Sequence, residues 1–264
     1  MAHWTEQLFL EQADTFATFF ERRADQARED VTDLLGLLAS KNHHPKRVLD
    51  VPCGTGHHAL AFADANRGGD DTECDGIECD GIDISQAFID RAESLAADHS
   101  LDDGVSFHVE DMRELDDWPN EYDLITNIWN SLGYYDRETD VQILTDLRRL
   151  LTPGGVLVVE LTNKDHHLAN FEPASVHELD DHLHVTRTEY DVETGRNHTT
   201  VDVFAVEDGS YDHRDTLTFQ PRLYALVELR ELCAEAGFTT IDLYGDFDGS
   251  LLTVESPRVV AIAR

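Results

Sequence analysis

The run Val48-Leu49-Asp50-Val51-Pro52-Cys53-Gly54-Thr55-Gly56 constrains this chain more than any other segment. Its apolar stretch is too short for a helix, stops at a proline and two glycines, and gives way at once to the helical pattern His58-Ala59-Leu60-Ala61-Phe62-Ala63. Strand, glycine turn and helix in that order make the first unit of an α/β fold. The glycines let the backbone approach a ligand, and the new helix offers free N–H groups.

The rest of the chain repeats the alternation. Gly81-Ile82-Asp83-Ile84 ends a second strand before Ser85, an N-cap for a helix with Phe88, Ala92, Leu95 and Ala96 on its buried stripe. Residues 105–109 and 122–126 read as further strands. A helix carrying Ile143, Leu147, Leu150 and Leu151 is predicted to end at Thr152-Pro153-Gly154-Gly155, followed by a buried strand at 156–159. This spacing predicts a doubly wound, mostly parallel sheet covered by helices on both faces. Before it, residues 1–45 read as two helices, with Phe9, Ala13, Phe16 and Phe20 on the first and Val31, Leu34, Leu35 and Leu38 on the second. This segment is a candidate lid over the site. Residues 163–220 instead show strand alternation around a turn at Glu193-Thr194-Gly195-Arg196-Asn197, which predicts a small antiparallel insertion whose edge is a candidate homodimer contact. A helix closed by Gly237 and strands near 240–244 and 258–262 complete one domain spanning 1–264.

Charge narrows the partners. The chain holds 54 Asp and Glu against 20 Lys and Arg, a net charge of −34, and its only lysines are Lys41, Lys46 and Lys164. Such a field repels nucleic acid and anionic membranes. Acid excess with lysine depletion also suggests a halophilic source, because molar salt shortens screening to about 3 Å and removes most self-repulsion. No stretch approaches the ~20 apolar residues of a membrane span and no signal peptide opens the chain, so a cytoplasmic location is expected. Four cysteines without a C-x-x-C pair argue against a disulfide scaffold, and Cys74 and Cys79 are expected to be solvent-facing thiols around an acidic loop. The fourteen histidines, including His166-His167 and the pair His182 and His184, lack a third ligand at metal-binding spacing, so no metal is expected.

Three acids stand where consecutive strands end: Asp50, Asp83 and Asp111. In a doubly wound sheet these ends converge on the ligand crevice. Asp123, inside its strand, reads as structural. An acid at Asp50 suits a cationic ligand better than a pyrophosphate. Asp83 can accept from two ribose hydroxyls, Asp111 from an adenine amine, and Ile84 and Met112 can sandwich the base. A cationic ligand with ribose and adenine and no phosphate is S-adenosylmethionine.

With these segments, and with Arg148-Arg149-Leu150-Leu151-Thr152-Pro153-Gly154-Gly155, the sequence resembles the class I S-adenosylmethionine-dependent methyltransferases over nearly its whole length. The resemblance implies a seven-stranded sheet of order 3-2-1-4-5-7-6 with the last strand antiparallel. It also implies that Asp50, Gly54 and Gly56 hold the methionine part, Asp83 the ribose, and Asp111 with Met112 the adenine. More narrowly, the sequence looks like a small-molecule subgroup with an aromatic stretch after the fourth strand and a β insertion after the fifth. His57 departs from the Arg expected after the Gly-Thr-Gly turn, and Trp129-Asn130 from a plainer Phe-Thr pair.

Methyl transfer from a sulfonium needs alignment more than a catalytic triad. Asn127, at the end of the fourth strand, is expected to face the reacting centre, and Trp129, Tyr134, Tyr135 and Asp246 to line the pocket of a small-molecule oxygen or nitrogen acceptor. Asp248 reads as a solvated turn and Cys53 as a space-filler beneath the glycine loop. The alternatives are an RNA methyltransferase, a non-catalytic nucleoside-binding protein on the same fold and, more distantly, a nicotinamide dehydrogenase. Against the first stand the absence of a basic stripe and the replacement of an N-P-P-Y-type tetrad by Asn127-Ile128-Trp129-Asn130.

Overall fold

A computed structural model describes residues 3–21, 24–65, 76–179 and 182–264. The side chains of Phe20 and Glu21, the acidic loop around Gly68-Gly69-Asp70-Asp71, and Cys74 lie outside the described residues.

Five parallel strands carry the fold: β1 Arg47–Asp50, β2 Glu78–Asp83, β3 Val105–Val109, β4 Tyr122–Asn127 and β5 Leu151–Thr162. Four strands of a second sheet follow, β6 Ala174–Glu178, β7 His182–Asp191, β8 Arg196–Glu207 and β9 Ser210–Phe219. The chain then returns to the first sheet through β10 Ile241–Tyr244 and β11 Arg258–Ala263, giving the order β10-β11-β5-β4-β1-β2-β3. Because β11 runs antiparallel to both β5 and β10, this is the expected 3-2-1-4-5-7-6 arrangement. The second sheet, ordered β6-β7-β8-β9 and wholly antiparallel, is the insertion after β5.

Side-chain alternation sorts the core onto the two faces of the main sheet. Leu49, Leu157, Val159 and Ala261 face α6 Arg137–Leu150 and α8 Leu226–Glu235, while Val48, Val158, Val260 and Ile262 face α3 Ala24–Ser40 and α4 His57–Asp64. Each fully buried aliphatic side chain there contributes about 1.5 to 3 kcal/mol. Ser85 caps α5 Gln86–Asp98 by accepting from Phe88 N. Asp123 is structural as expected, its Oδ2 accepting from the backbone N–H groups of Lys46 and Arg47 at 3.0 and 3.1 Å.

Local expectations fail at three places. The first predicted helix is broken into α1 Trp4–Glu6, a π-helical turn Gln7–Glu11 and α2 Ala13–Glu21. In the π turn Gln12 N reaches back five residues to Gln7 O, and the Gln12 side chain donates to Asp215 Oδ1 at 2.7 Å on β9, a tertiary contact invisible to helical periodicity. The strand expected at 156–159 begins already at Leu151: the helix ends just before Thr152-Pro153-Gly154-Gly155, as expected, but that segment belongs to β5, with Gly154 at φ +92° and a register shift against β4 between Tyr122 and Leu124. Cys79 is not solvent-facing, because its place on β2 buries it in the core.

A third apolar cluster joins Leu8, Phe9 and Ala17 to Phe88 of α5 and to Val201, Val203 and Leu217 of the inserted sheet. The N-terminal helices thereby lie between the two sheets' outer walls, beside the carboxyl ends of the parallel strands.

Candidate active site

The acids expected at strand ends meet in one cavity of about 690 Å³, counting its mouth. Asp50, Gly54, Asp83, Ile84, Asp111 and Met112 all contribute to its wall. Each acid is held differently. Asp50 is buried at the end of β1, where its Oδ1 accepts from Thr126 Oγ1 at 2.7 Å and its Oδ2 has no protein partner. Burial raises the Asp50 carboxyl above its usual range against the opposing pull of His58 and Thr126. An acceptor oxygen buried in a cavity wall without a donor is costly to leave unmet, and marks where a donor-bearing ligand would dock.

Asp83 ties the glycine loop to β2. Its Oδ2 accepts from Gly54 N and its Oδ1 from Ser85 N, both at 2.9 Å, and burial outweighs these bonds to push the carboxyl up to about 6. At Asp111 burial acts upward too, but the Arg113 guanidinium donates Nε to both oxygens at 3.0 Å and holds the group below the ordinary carboxylate range. Each carboxylate keeps unused lone-pair directions, so the set presents acceptors, not donors.

Two residues of the expected ligand set stand outside the cavity wall. Gly56 adopts φ +81°, and a Cβ there would lie 2.8 Å from Ala92 Cβ and from Phe107 Cζ. Its glycine character is required by packing of the loop on α5 and β3. Asn127 does not line the cavity either: its Nδ2 donates to Val51 O at 2.7 Å, bracing the end of β4 against the end of β1, while its buried Oδ1 has no partner.

Phe9, Trp129, Tyr134 and Tyr135 form the opposite wall. Trp129 and Asn130 both take left-handed backbone conformations, φ +58° and +61°, uncommon for residues with side chains. The buried Glu160 carboxylate accepts from Trp129 N at 2.7 Å, and Asn130 Oδ1 accepts from Thr162 N, so β5 holds the strained exit of β4. Burial pushes the Tyr134 and Tyr135 phenols up, which leaves neither as a ready base. Asp246 is elsewhere: its Oδ1 accepts from Arg258 at 2.7 Å, and it lines neither this cavity nor the neighbouring aromatic one. The Cys53 thiol borders the cavity, but burial first, and then Asp83, push it well above its usual range, so it is inert filler.

Sequence reasoning missed His58, Phe88 and Ser131, all on the cavity wall. The available signal for His58 was a titratable residue inside the buried stripe of α4. It sits edge-on to the Trp129 ring at 4.5 Å, with Nε2 3.7 Å from Asp30 Oδ2 and Asp30 Oδ1 paired to Arg258 at 3.0 Å. Among the described residues no three His, Cys, Asp or Glu side chains form a metal-ligating cluster, and no helix is long and apolar enough to cross a membrane.

Known proteins share this organisation. A protein of Geobacillus sp. (strain WCH70) named as a methyltransferase is 25% identical over 259 residues, covering 95% of this chain and 98% of its own. An S-adenosylmethionine-dependent methyltransferase from Clostridium acetobutylicum ATCC 824 superimposes with TM-score 0.79 at 14% identity over 96% of this chain and 98% of that one. CalS10, an amino pentose methyltransferase from Micromonospora echinaspora solved with S-adenosylmethionine bound, gives TM-score 0.67 at 17% identity over 95% and 97% of the two chains. With the methyltransferase domain matched over residues 42–213, well over half its length, this chain belongs to that enzyme family.

Proposed function

We propose that this enzyme transfers a methyl group from S-adenosylmethionine to an oxygen or nitrogen atom of a small-molecule acceptor. One observation carries the reading: the acids of three successive strands converge in a cavity whose deepest carboxylate, Asp50, keeps a buried oxygen unmatched. The donor set fits the cofactor, since an ammonium answers Asp50, vicinal hydroxyls answer Asp83, and Ile84 and Met112 offer apolar faces to a base. The bound cofactor in CalS10 and the name of the Clostridium protein support the same assignment.

S-adenosylmethionine supplies a methyl group on an already activated sulfur leaving group. The protein's own task is alignment and exclusion of water. In our reading Asp50 and Gly54 anchor one end of the cofactor and Asp83 and Asp111 the other, so that Trp129 and Tyr134 border the reacting side. Gly56 and Asn127 act through the loop and strand ends they brace. Residues 1–45 serve as a lid and the insertion at 163–220 as the far wall. A hydroxyl acceptor gives up its proton to solvent as the new bond to the methyl carbon forms and the methyl–sulfur bond breaks, whereas an ammonium must lose a proton first, because its nitrogen attacks through a free lone pair. The acidic surface suits concentrated salt, and a fold equally stable in dilute buffer and molar KCl would count against that adaptation. The exposed edge of the inserted sheet is the proposed homodimer contact, tested by light scattering.

Calorimetry with S-adenosylhomocysteine tests the central reading. Binding is expected, and its absence in both dilute and molar salt would refute it.

A further inference from the structure

Phe9, Trp129 and Tyr134 are shared between the acid-lined cavity and a second one of about 1000 Å³, counting its mouth. The second cavity is walled by aromatic rings from distant parts of the chain: Trp4 and Phe16 from the N-terminal helices and Phe219 from β9 join the shared three. Asn130, Thr162, His167, Asn197, Thr199 and Arg222 supply its polar groups, and none of them lines the acid-lined cavity.

Asn197 is the residue that asks for a ligand. It is the second residue of β8, on the same inward alternation as Val201 and Val203, and is 8% exposed. Its amide Nδ2 stands 3.0 Å from His167 Nε2, while its Oδ1 has no partner. A buried carbonyl oxygen in a cavity wall accepts an N–H or O–H from whatever fills the cavity. Burial, the largest influence on His167, lowers its ring pKa and favours the neutral form that holds the Asn197 amide. Among the described residues Arg222 alone brings a permanent charge to this wall. Its Nη2 pairs with Glu228 Oε1 at 2.8 Å and its guanidinium lies over the Tyr224 ring at 5.0 Å, while its buried Nε has no partner. Among the described residues no carboxylate lines the second cavity, whereas Asp50, Asp83, Glu110 and Asp111 line the one beside it. An anion would meet that acidic neighbour, and a cation would find no counter-ion on its own wall.

Resting on the proposed methyl transfer, we infer that the acceptor is an uncharged ring compound whose ring packs between Trp4, Phe16 and Phe219 and whose hydroxyl or amino hydrogen is received by Asn197 Oδ1. Asn197, steadied by His167, is a specificity residue: it orients the acceptor's far end while the atom to be methylated faces Trp129 and Tyr134.

Nitrobenzyl probes test this, because Trp4 and Trp129 both line the cavity and nitroaromatics quench tryptophan fluorescence. Quenching is titrated with and without saturating S-adenosylhomocysteine, using 4-nitrobenzyl alcohol, 4-nitrotoluene, 4-nitrobenzoate and 4-nitrobenzylammonium. The alcohol is expected to bind at least tenfold more tightly than either charged probe. In Asn197→Leu its affinity should fall about tenfold relative to 4-nitrotoluene, as expected for a lost buried hydrogen bond, with S-adenosylhomocysteine affinity unchanged. Asn197→Ala replaces that variant should it fail to fold. Tighter binding of the benzoate or the ammonium overturns the uncharged class, and an unchanged alcohol-to-toluene ratio in the variant overturns the role of Asn197. Either result with S-adenosylhomocysteine still bound leaves the methyltransferase reading standing, whereas failure of S-adenosylhomocysteine to bind overturns that reading itself.

Discussion

The two cavities that share Phe9, Trp129 and Tyr134 are built by opposite means. The acid-lined one stands on the ends of parallel strands, and its polar groups are fixed by bonds within and between adjacent strand ends, such as Asp83 to Gly54 and Ser85, Asp111 to Arg113, and Asp50 to Thr126. The aromatic one is assembled from the N-terminal helices, the exit of β4 and the inserted sheet, segments up to about two hundred positions apart, as the Gln12 to Asp215 bond illustrates. The first is a charge pattern imposed by topology. The second is a volume left where three separately folded elements meet. In the function proposed above, cofactor binding belongs to the first and acceptor choice to the second.

Substitutions that affect one cavity and spare the other sharpen that contrast. The largest effect is expected from Gly56→Ala. A left-handed alanine with its Cβ pressed on Ala92 and Phe107 should cost about 3 kcal/mol from backbone strain and overpacking together. The melting temperature should drop by roughly 6 to 12 °C and S-adenosylhomocysteine binding should be lost. A melt unchanged within error would show that the loop can yield.

Asp83→Ala should weaken S-adenosylhomocysteine by about 1.5 to 3 kcal/mol, the cost of removing a charged acceptor, while leaving 4-nitrobenzyl alcohol binding intact. Equal loss at both cavities would break the separation.

A smaller effect follows from pH. The folded Asp83 carboxyl sits near 6, above its usual 3.8, so the folded state binds an extra proton between those values. For the ligand-free protein, this group's contribution to stability is present below 3.8 and is lost as pH rises through about 6. Ligand hydrogen bonds favour the ionised form, so affinity should run the other way. S-adenosylhomocysteine should bind about tenfold more weakly at pH 5 than at pH 7, and Asp83→Asn should flatten the profile. A wild-type profile as flat as the variant's would remove Asp83 from the binding site.

Least of all should change in Asp246→Asn. Its partly exposed pair with Arg258 contributes about 0 to 1 kcal/mol, and neither cavity includes it. A shift in acceptor KM beyond threefold would return Asp246 to the acceptor site.

Local chemistry determined much of this from the sequence alone. Glycine after a short apolar run, acids closing successive strands, and the return of helical periodicity after the insertion are patterns within a dozen residues. Whereas the strand order was implied by the family resemblance, a doubly wound, mostly parallel sheet and the Asp50, Asp83 and Asp111 set were therefore legible without coordinates. The reasons behind some of those residues were not. Gly56 is a glycine because Ala92 and Phe107 crowd it, and Asn127 braces β1 instead of lining the crevice. Both facts depend on which side of a packed layer a residue meets. The aromatic cavity lies further still from sequence reach. Phe9, Trp129, Asn197 and Phe219 carry no shared spacing, and only tertiary packing, which buries Asn197 with one oxygen unmatched, brings them to one wall.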